Sequence, residues 1–243
     1  MRRFVLFTLF AASAALNATA APLLYTSRGA WEAAAGSVQN TDFEGIAADG
    51  GLVYYNSPAG LDLNGIHFES YGNSDPGGIG PYLVVVDDTY SNPSCPYGPG
   101  GCYGGGTGAL LHGSPAYGFG APPGGILAAF SGTSAVGSNL WTILPDAVDG
   151  PEVRVIVTAG SIDYIYLVDT PAGGPSTPGF AGFVSDDLIT AIRFEAIGGP
   201  RASGPYLDLD NFAVAVPEPG SLFLLGAGLV AAGIASRRRR LIP

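Results

Sequence analysis

No lysine occurs anywhere in the 243 residues, and histidine, cysteine and methionine are nearly as scarce, at two, two and one. The missing lysine excludes a phosphate-binding P-loop, Schiff-base chemistry and a lysine general base together. Nucleophilic hydrolysis needs a serine with a base in hydrogen-bond reach. The sequence offers only His67 and His112 and no Gly-x-Ser-x-Gly elbow. His67 reads as lying on the polar side of a strand and His112 as lying in a loop, so both are taken as surface residues. No histidine or further cysteine stands near Cys95 and Cys102, which argues against a metal pair.

Positive charge is scarce in a second way, because most of it sits at the two ends. Of the ten arginines, Arg2, Arg3 and Arg237 to Arg240 are terminal, leaving Arg28, Arg154, Arg193 and Arg201 in the body. Nineteen of the twenty acids are in that body. Its net charge is therefore near −15, against −10 for the whole chain. Such a surface repels nucleic acid and anionic lipid but suits divalent cations.

The N-terminal residues read as an export signal. Arg2 and Arg3 precede an apolar run from Phe4 to Leu16 and a small-residue site, Ala18-Thr19-Ala20. This is the layout of a secretory signal peptide over residues 1–20, with cleavage expected after Ala20. At the other end, Pro217-Glu218-Pro219 precedes an apolar run from Ser221 to Ser236 and the cluster Arg237, Arg238, Arg239 and Arg240. Sixteen residues make roughly 24 Å of helix, against a hydrocarbon core of roughly 30 Å. Snorkelling arginines make a short transmembrane helix feasible over 221–236. The arginines would stay cytoplasmic, leaving the body outside the inner membrane. Each proline fixes its own φ and biases the residue before it to extended geometry, as a protease substrate requires.

The tripeptide, the short glycine-bearing apolar segment and the arginine cluster, in that order, resemble the PEP-CTERM sorting signal of Gram-negative bacteria. The resemblance covers about the last 27 residues, within 216–243. It implies recognition by exosortase, a membrane protease with a cysteine nucleophile. It further implies export, transient tethering, cleavage near the tripeptide, and release or transfer to the cell surface.

The body, residues 21–215, is long enough for one domain. A short helix is expected from Arg28 to Ala35 with Ser27 as N-cap. Beyond it, apolar segments are short, bounded by Gly, Pro, Asn or Asp, and several alternate with period two. Ile66 and Phe68 oppose His67 and Glu69, while Val153, Val155 and Val157 oppose Arg154. Ile192 and Phe194 oppose Arg193 and Glu195, and Leu207 and Leu209 interleave with Asp208 and Asp210. Other candidate strands are 52–55, 82–86, 126–130, 140–144, 162–168 and 180–184. This pattern predicts an all-β fold, an antiparallel β-sandwich of jelly-roll type. The body is also similar to the β-sandwich domains that commonly precede PEP-CTERM tails. The shared motifs are Thr41-Asp42-Phe43-Glu44, Gly182 to Asp187 followed by Ile189, and Leu209-Asp210-Asn211-Phe212.

Residues 87–125 break the rhythm with Gly, Pro, Ser and Tyr, and a loop this long in a compact domain is functional or disordered. Within it, Cys95 and Cys102 bracket a Pro/Gly turn and are expected to form a local disulfide in an exported chain. Tyr90, Tyr97, Tyr103 and Tyr117 offer stacking faces for a sugar, or pack the loop onto the sandwich. Asp42 and Glu44 near the first strands and Asp208 and Asp210 in the last are candidate ligands for structural calcium, or the solvated face of two strands. The expected function is that of an exported surface or matrix protein, with a binding or structural role and exopolysaccharide as a candidate partner. The alternative is a glycan-active hydrolase or lyase using two carboxylates.

Overall fold

The structure is a computed structural model and describes residues 20–71, 82–87, 110–113, 125–143, 152–169, 178–197 and 206–216. The described elements are β1 (Leu23–Tyr25), α1 (Arg28–Ala35), β2 (Val38–Thr41), β3 (Leu52–Asn56), β4 (Leu61–Leu63) and β5 (Ile66–Tyr71). They continue with β6 (Tyr82–Val86), β7 (Leu110–Gly113), β8 (Gly125–Ile143), β9 (Glu152–Ala159), β10 (Ile162–Asp169), β11 (Gly179–Ile197) and β12 (Tyr206–Ala215). Every strand pairing is antiparallel. The described residues are thus all-β with one helix. Among the described residues no helix is long and apolar enough to cross a membrane.

Two strands, β8 and β11, are 19 residues each, and they organise the molecule. They pair with each other on both sides of a bulge, and their outer neighbours change there. Residues 125–130 of β8 pair with β5, whereas 136–143 pair with β12. Residues 189–197 of β11 pair with β9, whereas 182–184 pair with β1. One layer is therefore β4-β5-β8-β11-β9-β10. The other is β1-β11-β8-β12, extended through β7 to β6 and β3, with β2 also on the far side of β12. The corner between them carries the register shifts between Val184, Ile189 and Ala191. Gly132 lies in it at φ 126°, a region of backbone that L side chains rarely adopt. Strands that pass from one layer to the other through a bulge are a general way to close a sandwich corner.

The core forms because the period-two faces of both layers meet. Phe68 of β5 lies edge-on to Phe212 of β12, ring centroids 5.2 Å apart, and to Phe43 at 5.3 Å. Tyr166 of β10 meets Phe183 of β11 at 4.8 Å. Val153, Val155, Val157, Ile192, Phe194, Leu207 and Leu209 complete the same buried cluster.

The outer face of the second layer is partly covered by α1. This helix spans the predicted residues and ends at Gly36, whose φ of 77° suits glycine and whose N–H donates to the Glu32 carbonyl. Ser27 sits at the N-cap with extended backbone, but its side chain makes no capping bond. Trp31 is fully buried and donates its indole N–H to the Phe183 carbonyl at 3.2 Å. Its ring lies over a gap left by two glycines, Gly137 and Gly182, that are cross-strand partners. A Cβ on Gly182 would stand 2.6 Å from Trp31 and Phe180 ring atoms. Arg28 ties the helix to three strands. Its guanidinium donates to the Asn211 carbonyl at 2.9 Å and the Asn40 side chain at 2.6 Å, and it lies over the Phe180 ring at 5.9 Å.

The two ends of the body are fastened. The Pro22 carbonyl accepts the Tyr166 hydroxyl at 2.5 Å, and the Val216 N–H donates to the Ser37 carbonyl at 3.0 Å.

Some expected elements came out differently. The expected segments 126–130 and 140–144 fall, as far as Ile143, in one strand, and 180–184 and 192–194 in another, because pairing on both sides of a bulge carries the backbone through the intervening polar and glycine residues. His112, expected in a loop, lies in β7 opposite Asp208 and Val84. The short strands β2 and β4 carry little apolar pattern of their own and were not foreseen. Gly182→Ala is expected to destabilise the body by about 1–3 kcal/mol through overpacking against Trp31. Urea unfolding followed by Trp31 fluorescence would measure it, and an unchanged midpoint would show that the indole is free to move.

Candidate binding face

The alternation that buries Phe68, Ile126, Phe194, Val155 and Tyr166 turns their neighbours to the opposite side of the first layer. Three cross-strand rows result. One runs Asp62, His67, Ala129, Ala191, Thr158, Asp163; the next Glu69, Leu127, Arg193, Ile156, Ile165. The third runs Tyr71, Gly125, Glu195, Arg154, Leu167. Two of the body's four arginines thus lie on this face. Arg193 pairs with Asp163, whose other oxygen accepts the Thr158 hydroxyl at 2.6 Å. His67 Nδ1 lies 2.8 Å from Asp62, and the Ser57 hydroxyl donates to Glu69 at 2.6 Å. Ile165 and Leu167, on the edge strand β10, are 65% and 58% exposed, so the face ends in an apolar margin.

The third row holds the most enclosed polar groups. Glu195 is buried and forms an ion pair with Arg154 Nε. Gly125 stands between Glu195 and Tyr71 and has no side chain, so the phenol reaches across it. A Cβ there would lie 3.1 Å from the Tyr71 oxygen. Burial, and then the negative charge of Glu195, push the Tyr71 phenol far above its usual range, so it keeps its proton. Its oxygen is enclosed, and its contact with the Glu195 carboxylate, too loose for a well-formed hydrogen bond, adds to that rise.

The four candidate calcium ligands divide between two situations. Asp42 and Glu44 are exposed and follow β2, with Asp42 Oδ1 accepting the Glu44 N–H at 3.3 Å. Asp208 and Asp210 are buried, and β12 has neighbours on both sides instead of forming a sheet edge. Among the described residues no three His, Cys, Asp or Glu side chains come together as a group that could hold a metal ion. The face that carries Asp208 and Asp210 is enclosed, so the reading as a solvated face fails for β12.

Asp210 has a local role. Its carboxylate accepts the Asn211 N–H at 2.5 Å and the Asn211 side-chain N–H at 2.7 Å, holding Asn211 at φ 49° in the β12 bulge. Burial raises its pKa from 3.8 to about 6, with the charge of Glu44 adding to the rise and the Asn211 bonds and Arg28 opposing it.

Pro217, Glu218, Pro219, the arginine cluster, the 221–236 helix, Cys95, Cys102, Tyr90, Tyr97, Tyr103 and Tyr117 lie outside the described residues, as do residues 1–19 of the signal peptide. For the C-terminal set the decisive observation is a comparison by family. Residues 215–240 match the model of the PEP-CTERM protein-sorting motif. The chain carries a PEP-CTERM sorting motif. That motif supports an exosortase substrate, and it begins at the final residue of β12, so the strand-built body leads into it without a spacer.

No curated protein matches the chain. Among solved structures, a family 29 carbohydrate binding module is similar at 14% identity, over 70% of this chain and 97% of that one, with a TM-score of 0.32. The K2 cleaved adhesin domain of Lys-gingipain is similar at 10% identity, over 74% and 100%, with a TM-score of 0.36. At these values neither likeness bears on what this chain binds.

The Asp210 shift has a defined sign. Between pH 4 and 6 the native carboxyl keeps a proton that the unfolded chain has lost, so stability falls as pH rises through that window and is level above it. The fall is on the order of 3 kcal/mol. Asp210→Asn is expected to remove it, as read from urea midpoints between pH 4 and 7. A midpoint that rises across this window in the wild type would contradict the assignment.

Proposed function

We propose that the chain is exported, cut by exosortase at its PEP-CTERM motif and displayed on the cell surface or in the extracellular matrix. There it works by binding or as a structural component, without catalysis, and exopolysaccharide is its partner. The observation that carries this reading is the sorting motif at residues 215–240. On this reading residues 1–20 are the signal peptide, 21–215 a sandwich of jelly-roll type, and 216–243 the sorting signal. The helix at 221–236 then anchors the precursor in the inner membrane until cleavage.

The binding part is supported by the first layer's outer face. It presents paired charges, hydroxyls and an apolar margin on a sheet, a surface suited to an extended polar chain. The acidity of the body disfavours nucleic acid as a partner.

Replacing Pro217, Glu218 and Pro219 by alanine in the native host is expected to leave the chain at precursor mass in the inner-membrane fraction. The unaltered chain would be found shortened, in the surface or matrix fraction. Identical fractionation and mass for both would sink the processing route. Retention of the purified body on native exopolysaccharide tests the binding part, and loss of all retention would sink that part alone.

A further inference from the structure

We propose that β10 is a docking edge for a second copy of this chain, the two β10 strands pairing antiparallel so that two first layers become one sheet. This does not depend on what the body binds. Among the described residues β10 pairs with β9 alone, over all eight of its residues and without a register shift.

The turn before β10 decides which backbone groups face outward. Gly160 and Ser161, at φ 55° and 70°, form a two-residue hairpin turn of type I′. In such a turn Ile162 donates its N–H back to Ala159. The backbone then alternates, so Tyr164, Tyr166 and Val168 exchange bonds with β9, while Asp163, Ile165 and Leu167 turn their N–H and C=O groups away from it. On the outer face, Ile165 and Leu167 add exposed apolar side chains to that edge. Natural edge strands are usually blunted by lysine, proline, a bulge or shortness. Here the chain has no lysine, the strand has no proline, and its ladder has no bulge.

Charge and register select a second copy as the occupant. A body near −15 repels its own copies, so they meet with least opposition where charge is locally balanced. Beside β10, Arg193 pairs with Asp163 and Arg154 with Glu195, which uses two of the body's four arginines on this flank. Matching inner and outer faces across the joint restricts the pairing to registers two residues apart. Two of these pair nearly the whole strand. Setting Tyr166 opposite its own copy would put Asp163 against Asp169 twice, with like charges directly opposed. Setting Ile165 opposite its own copy instead puts Asp163 against Leu167 and Ile162 against Val168. Ile156 already lies beside Ile165 in the β9–β10 ladder. The favoured register therefore makes one row of four isoleucines across the joint, flanked by Leu167 on either side. The joint is two-fold symmetric, each patch meeting itself. A single strand edge buries less than the roughly 1,200 Å² of a stable soluble complex, so pairing is expected where copies are concentrated.

Cysteine cross-linking of the full chain in its native host tests the proposal, with a short, membrane-permeant thiol linker and the wild type as the background. Opposed Ile165 positions would be about 5.5 Å apart between Cα atoms, whereas the two Leu167 positions would be about 14 Å apart. Ile165→Cys is expected to give a covalent dimer. Leu167→Cys alone should give none, but should join to Asp163→Cys when the two are co-expressed. Adding Leu167→Pro to Ile165→Cys is expected to reduce the dimer by about tenfold, through loss of backbone bonds across the joint. The melting temperature of that purified variant should hold, because the Leu167 N–H faces away from β9.

No dimer from Ile165→Cys overturns the proposal. Equal cross-linking by Leu167→Cys alone overturns the register, and a dimer that survives Leu167→Pro overturns pairing through the backbone. A large fall in melting temperature on adding Leu167→Pro would show that the N–H is bonded within the body, so the edge is closed. A cross-link to a different protein in place of the dimer overturns the second copy as occupant.

Discussion

The rest of the structure depends on the bend shared by β8 and β11. Each strand has to serve two layers, and it can do so only if both turn at the same place while staying paired. Gly132, with its left-handed backbone, and the register shift after Val184 provide that turn. The turn is held from outside, because the Gly160 N–H donates to the Leu188 carbonyl and the Asp187 N–H to the Ser185 hydroxyl. Once the corner is set, the apolar faces of both layers point toward each other, and Phe68 meets Phe212 while Tyr166 meets Phe183. Every cross-strand row on the first layer's outer face inherits its alignment from the same two strands.

This corner explains much of what was and was not legible in the amino-acid order. Side-chain alternation showed which residues of β5, β9 and β11 face inward, because burial imposes period two locally. It also placed α1, whose alanine-rich run ends at Gly36. The continuity of β8 and β11 was not legible, because Ser131 to Ser134 and Ser185 to Asp187 interrupt the apolar pattern. They are bends within strands, held by pairing partners distant in sequence. The row of Tyr71, Glu195 and Arg154 comes from β5, β11 and β9, and no local motif announces it. Its one local sign was the polar residue alternating with valines or phenylalanines on each strand.

The three short motifs that suggested a sandwich body now have a structural meaning. Thr41 to Glu44 contains Phe43 at φ 59°, Gly182 to Ile189 contains the corner, and Leu209 to Phe212 contains Asn211 at φ 49°. All three mark places where the backbone leaves regular geometry and a particular residue is needed to let it. The acids within them follow the same logic. Asp210 is on β12 because its carboxylate satisfies the N–H groups of a bulge, and its burial is the cost of that placement.

The Val216 bond to Ser37 carries a mechanical consequence. The sorting motif starts where β12 ends, and β12 is held along both edges, by β8 on one side and by β2 and β7 on the other. Tension applied through the tail of a tethered precursor would load those ladders along the strand direction. All the bonds would share the force at once, in shear, instead of opening one after another from a free edge. A pull on the tail would therefore meet the summed resistance of those ladders.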